Sequence, residues 1–245
     1  RHWAVTKSGH ERVSVVTNGA NTGLFSPDGP RAVESKPYIA FVGGLTAWHG
    51  VNTMIAATNS PHWPEEVELV IIGDGIAREQ VAQAAQNRHV KALGRLPQEE
   101  AAAYLRGALG TLDYSLGFSD GGIQYSTNEA GDRALVLGMS INLATGVAPL
   151  KLFEAMASGV PVIASDLPFQ AALVRDQKAG LVIPMADAEA LAKAVAMLAA
   201  DMGMAREMGA NGAAYVAAHA SWQARADEIS RIMLDSLGGG GHAAA

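Results

Sequence analysis

Short runs of β-branched and other apolar residues alternate along this chain with longer segments in which Ala and Leu recur at helical spacing. That alternation restricts the fold more than any other feature, because a strand, an amphipathic helix and a second strand pack together as a βα unit with a parallel sheet. Strands are expected at 12–17 (RVSVVT), 38–43 (YIAFVG), 67–73 (VELVIIG), 90–94 (VKALG), 111–116 (TLDYSL) and 161–165 (PVIAS). The near-continuous apolar ones should be covered on both faces. Helices are expected between them at about 51–59, 78–86, 98–105 and 150–157. The predicted class is therefore α/β, a doubly wound, Rossmann-like parallel sheet.

After the last clear strand, 186–201 (ADAEALAKAVAMLAAD) sets Leu191, Val195 and Leu198 on one helical face behind Asp187, the expected N-cap, and further helices run to about Leu237. Residues 117–148 hold glycines, Ser, Thr and Asn around one short apolar run, which predicts a long loop of the functional or disordered kind. Residues 1–235 read as one domain, and 236–245 (SLGGGGHAAA) as a flexible Gly/Ala tail with nothing to bury.

Composition removes several function classes. A net charge of -6 with acids and bases interspersed provides no basic stripe for nucleic acid. The absence of cysteine excludes disulfides and thiolate metal sites and fits a reducing compartment, so a cytoplasmic location is expected. No segment has the roughly 18 apolar residues of a membrane span, and the first residues lack the apolar core of a signal peptide. A peripheral contact at the inner membrane face stays compatible with the sequence. The seven histidines form no i, i+4 pair and no Asp-x-Asp dyad occurs, so no dense metal-ligand set is indicated.

Ligands of open α/β sheets bind beyond the carboxyl ends of the strands, where glycines admit a phosphate and helix N-termini offer amides. Three turns meet that description. The first, FVGGLTAWHG (41–50), places Gly43 and Gly44 after a strand, as a phosphate approach or as plain turn residues, with His49 as a hydroxyl or phosphate donor or a structural histidine. The second, VIIGDGIAREQ (70–80), gives Gly73-x-Gly75-x-x-Arg78. That is an incomplete dinucleotide fingerprint, and Arg95 stands where an acidic ribose ligand is needed, which disfavours NAD but leaves a phosphate or sugar approach open. GFSDG (117–121) matches a nucleophile elbow, yet the polar, Gly-rich run that follows denies Ser119 the helix an elbow requires.

The third turn leads into PLKLFEAMASG (149–159). The first amides of a helix starting at Leu150 carry the positive end of its dipole, and Lys151 adds a cation where helices prefer acids. A cation so placed points to an anionic ligand. Glu154 lies one turn further on the same face, suited to accept hydrogen bonds from vicinal hydroxyls. The alternative is an i, i+3 surface ion pair of a few tenths of a kcal/mol.

Six blocks, VTNGANTGLFSP, YIAFVGGLTAWHGVNTMIAA, VELVIIGDGIAREQV, VKALGRLPQEEAAAYLRGA, PLKLFEAMASGVPVIAS and KAGLVIPMADAEALAKAV, follow one another in the order and spacing of a known domain. From about Arg12 to Leu234 the chain resembles the C-terminal, nucleotide-sugar-binding domain of group 1 (family 4) retaining glycosyltransferases of the GT-B fold. The resemblance implies that Glu154 holds ribose hydroxyls and that amides around Pro149, Leu150 and Lys151 meet the diphosphate. It further implies that Gly43 and Gly44 approach the sugar phosphate and that Gly94, Arg95 and Leu96 lie near the base. It implies transfer of a hexosyl-type sugar from a nucleoside diphosphate to a glycan, lipid or small molecule without a bound metal or other cofactor. An acceptor-binding N-terminal GT-B domain is implied as a partner, without which this chain is expected not to turn over.

Three positions depart from the commonest family pattern: Gly44 replaces an Arg, His49 a Lys, and Gly146 the first of two glutamates. A subgroup with WHG and PLKLFE shares part of this pattern, which gives the missing charge to Lys151 together with His49. The alternative reading is a degenerate, non-catalytic nucleotide-binding or scaffold module, with an NAD-dependent enzyme as a more distant third.

Overall fold

The computed structural model describes residues 9, 13–46, 49–114, 124–127, 133–136 and 148–238. The elements are β1 (Tyr38–Val42), α1 (Val51–Ala57), β2 (Glu68–Ile72), α2 (Arg78–Ala84), β3 (Val90–Gly94), α3 (Gln98–Gly107), β4 (Gly110–Asp113), β5 (Gln124–Thr127) and β6 (Arg133–Val136). They continue with α4 (Leu150–Ala157), β7 (Val162–Ser165), α5 (Pro168–Asp176), β8 (Gly180–Ile183), α6 (Ala188–Ala200), α7 (Met202–Tyr215), a π-helical turn (Val216–Ala220) and α8 (Trp222–Gly238). Six strands form one sheet in the order β3-β2-β1-β4-β7-β8, every neighbouring pair parallel. This is the expected Rossmann-like, doubly wound arrangement.

The period-2 geometry of a strand explains why its apolar runs are continuous. Ile39 and Phe41 of β1, Leu69 and Ile71 of β2, Leu112 of β4 and Ile163 of β7 face one side, against Val51 and Met54 of α1 and Leu191, Val195 and Leu198 of α6. Their alternates Tyr38, Ala40, Val70, Ile72, Val162 and Ala164 face the other, against Ala102 and Leu105 of α3 and Leu152, Phe153 and Met156 of α4. The predicted stripe Leu191, Val195 and Leu198 is fully buried.

Asp187 caps α6 as expected, its carboxylate accepting from the Ala190 amide at 2.8 Å. Replacing it with Ala should cost about 1 kcal/mol. Thermal unfolding would show this as a fall of roughly 2–4 °C for a domain of this size.

Four expectations need correction. Residues 13–17 form no strand; Ser14 and Val15 are exposed, and among the described residues before β1 the one ladder contact is the Ala20–Ser221 bridge. Alternating residues make a strand only where a neighbour accepts their backbone groups, and the sheet ends at β3 and β8. The predicted loop 117–148 contains an antiparallel pair, β5 with β6, whose second strand is the short apolar run. Helix α5 and edge strand β8 were not expected, because β8 is four residues long, starts with Gly180 and is only half-buried. No helix among the described residues is long and apolar enough to cross a membrane.

Candidate functional site

The chain lays β1, β2 and β3 outward in one direction and then returns to place β4 on the opposite side of β1. The connections from β1 and β4 therefore diverge, and a crevice opens beyond their carboxyl ends. Gly43 and Gly44 continue β1 into that crevice, Gly73 and Asp74 continue β2, and Arg95 follows β3.

The turns after β1 and β2 run together backbone to backbone. Gly43 N–H donates to Ile72 O at 3.0 Å, Leu45 N–H to Asp74 O at 2.9 Å, and Ala77 N–H to Leu45 O at 3.0 Å, while Gly73 N–H bonds Gly94 O at 2.8 Å. Such proximity leaves no room for side chains on the second turn. A Cβ on Gly73 would collide with the Gly43 carbonyl, and one on Gly75 would lie 2.6 Å from Leu45 O; both residues also have left-handed φ, 149° and 153°. The Gly73-x-Gly75 spacing thus answers to loop packing, and the NAD reading loses its basis.

Gly43 and Gly44 differ from these. Neither has positive φ, a Cβ on Gly43 would meet nothing nearer than Phe41 Cζ at 3.4 Å, and one on Gly44 nothing nearer than Thr46 Cγ2 at 3.8 Å. The fold alone does not require glycine at either position.

A cleft of about 330 Å³ opens over this turn and brings Gly43, Gly44, Arg95, Leu96 and Glu154 to one surface, with Gln98 at the start of α3. The five predicted residues come from three separate places, the turns after β1 and β3 and helix α4. Glu154 reaches the cleft from α4, and no described residue donates a hydrogen bond to its carboxylate; burial alone raises its pKa. A carboxylate left so is an acceptor without donors.

Lys151 takes a different course from Glu154. Its stem passes Gly43, and its ammonium lies 5.3 Å from the Phe41 ring centroid, 3.5 Å from the Asp113 carboxylate and 3.4 Å from Tyr114 O, to which it donates. The lysine forms the floor of the crevice rather than a surface pair with Glu154. Burial lowers its pKa, opposed by the charge of Asp113. His49 packs against Phe41 with ring centroids 5.9 Å apart, its Nδ1 2.5 Å from Gly44 O and 2.9 Å from Thr46 Oγ1. A carbonyl only accepts, so Nδ1 carries the proton. Burial and then Lys151 push the His49 pKa down to about 4, so the imidazole is neutral at pH 7. The idea that His49 shares the missing charge is therefore corrected: its hydrogen bonds order the turn and it has no charge to share.

Pro149 and Leu150 are the N-cap and first residue of α4, which no side chain caps; Leu150 is exposed. Both stand at the helix end over the crevice but outside the lining of the cleft. Gly146 and Ser119 lie outside the described residues. Sequence reasoning missed Asp113, whose signal was an acid in an otherwise apolar strand, TLDYSL.

Residues 133–215 match the family model of glycosyl transferases group 1. Over 240 residues the chain is 29% identical to alpha-maltose-1-phosphate synthase of Mycolicibacterium smegmatis, an alignment that takes in 91% of this chain and 56% of the synthase. The chain thus spans little more than half the length of this curated relative. Anabaena HepE, solved with UDP-glucose, superposes with TM-score 0.69 at 15% identity over 94% of this chain and 60% of HepE. The C-terminal domain of the group 1 glycosyl transferase LpcC from Francisella tularensis superposes with TM-score 0.58 at 18% identity, over 82% of this chain and 97% of that domain. The chain is similar to the group 1 glycosyltransferases over this segment and has the GT-B fold of their C-terminal domain.

Proposed function

We propose that this chain binds the nucleotide-sugar donor of a glycosyltransferase that moves a sugar from a nucleoside diphosphate to an acceptor with retention at the anomeric carbon. The observation that carries the reading is Glu154: a half-buried carboxylate with no described donor, opening on the same cleft as two glycines that the fold does not need. Vicinal hydroxyls of a ribose supply the donors it lacks. The base then lies toward Arg95, Leu96 and Gln98, and the diphosphate toward Gly43, Gly44 and the uncapped start of α4. As the leaving diphosphate gains charge, the α4 dipole and Lys151 stabilise it, a preorganised arrangement in which no metal or further cofactor is assigned. HepE is a UDP-glucose-bound neighbour and supports a donor of this class. The acceptor, a glycan, lipid or small molecule, belongs to a further GT-B domain, and the cytoplasm, at the inner membrane face or free, is the proposed location.

One observation favours the second reading, a binding module without turnover: Lys151 is already engaged by Asp113, and His49 carries no charge. Thermal unfolding with UDP, GDP, ADP and their sugars tests nucleotide binding itself. A ligand at one hundred times its Kd adds about 2.7 kcal/mol, which predicts a rise of roughly 5–10 °C for one base. No shift with any of them would overturn both readings. Product formation by the full enzyme then decides between them.

A further inference from the structure

The site's cation has a counter-ion that nothing so far explains. Asp113 ends β4 with 1% of its surface exposed, and neither carboxylate oxygen accepts a hydrogen bond from any described residue. Its one charged neighbour is Lys151 at 3.5 Å, longer than a good charge-assisted hydrogen bond. Such a pair is a poor stabilising device. Desolvating both ions offsets their attraction, and apolar residues of the same volume often serve stability as well or better.

What the pair does affect is the protonation of Lys151. The ammonium faces two adverse influences, its own burial and the positive end of the α4 dipole, while the face of the Phe41 ring favours the cation. Asp113 opposes both adverse influences from β4. Resting on the donor-binding reading above, the geometry points to Asp113 as a positioning residue for glycosyl transfer: it holds Lys151 beneath the Gly43–Gly44 turn as a charged ammonium, ready for a diphosphate. It touches no substrate and acts only through the lysine.

The titratable groups facing Lys151 define the window for a test. His49, from the turn after β1, titrates near 4, and Glu154, on α4 itself, is a carboxyl raised by burial. The β4 end contributes the carbonyl of Tyr114 and Asp113, whose own pKa is raised by burial and pulled back down by Lys151. A terminal phosphate has its second pKa at about 6. Between pH 7 and pH 9, Lys151 is therefore the group to watch.

The experiment is calorimetry of UDP, GDP and ADP on the 245-residue chain and on its Asp113→Asn variant across that window, in buffers of differing ionisation enthalpy. Wild type should bind its nucleotide with constant affinity and no proton uptake. In Asp113→Asn the lysine loses its counter-ion and its pKa falls further, so binding should take up a proton and weaken about tenfold from pH 7 to pH 9. Parallel profiles, or tighter binding by the variant throughout, would sink the inference while leaving the donor reading intact. If wild type binds none of the three nucleotides, the donor reading fails, and the functional role of Asp113 with it. Should the variant not fold, NMR of the lysine side chains in wild type decides: a charged Lys151 ammonium throughout pH 7–9 is required, and a neutral amine at pH 7 overturns the assignment.

Discussion

Glu154→Ala should weaken nucleoside diphosphate binding by one to two orders of magnitude, measured by calorimetry, and leave the chain folded. A hydrogen bond to a charged group contributes about 1.5–3 kcal/mol, and each 1.4 kcal/mol is tenfold in Kd. No described residue donates to this carboxylate, so its alternative in the free chain is water or a proton. That gives the prediction a pH signature. Burial raises the pKa of Glu154, so in the folded chain ionisation is opposed; stability is full below the ordinary carboxylate range and falls as pH rises through the raised value. Hydroxyl donors favour the ionised form, so binding should release protons in the acid range and tighten as pH rises through that value. Glu154→Gln should accordingly raise thermal stability at pH 7 while lowering affinity, a trade-off expected where a site retains a group the fold disfavours. A variant that binds UDP, GDP or ADP as wild type does would remove Glu154 from the site.

The helix bearing this residue was readable from the sequence alone, and α4 spans the expected 150–157. Its apolar periodicity is a local property, as are the strand runs that bury both faces of β1 and β2. The placement of Lys151 and Glu154 one turn apart was also visible. Their divergence was not, because it depends on what β4 presents: Asp113 draws Lys151 into the floor, and its distance in the chain conceals the pairing. The glycines of the second turn were left open between two readings for the same reason. Gly73-x-Gly75 has the look of a phosphate loop, but its meaning depends on the neighbouring turn at Gly43 and Leu45, which no spacing rule contains. Residues 13–17 show the converse. They alternate as a strand should and take no strand conformation. Local pattern was sufficient where an element's own residues decide its state, and insufficient where a partner segment does.

The two glycine turns supply the remaining large effect, because they predict opposite outcomes from the same chemical change. Gly73→Ala should destabilise the chain by about 3 kcal/mol or more. Its methyl would be driven into the Gly43 carbonyl, backbone against backbone in two turns tied by three hydrogen bonds, at a φ of 149° that L residues avoid. No flexible side chain is available to move aside. Thermal unfolding should show a drop of roughly 6–12 °C. Gly43→Ala adds the same methyl to the facing residue, where φ is ordinary and the nearest atoms, Phe41 Cζ at 3.4 Å and Lys151 Cδ at 3.8 Å, are at van der Waals distance. Its Tm should stay within a few degrees of wild type. The methyl would instead stand beside the Lys151 stem in the lining of the cleft, where a diphosphate must approach the backbone, and nucleotide affinity should fall about tenfold or more. If Gly43→Ala proved as unstable as Gly73→Ala, its glycine would be a requirement of the fold and the argument for a ligand at that turn would lose its footing. Normal stability with unchanged affinity would instead place the ligand elsewhere in the cleft, nearer Arg95 and Leu96.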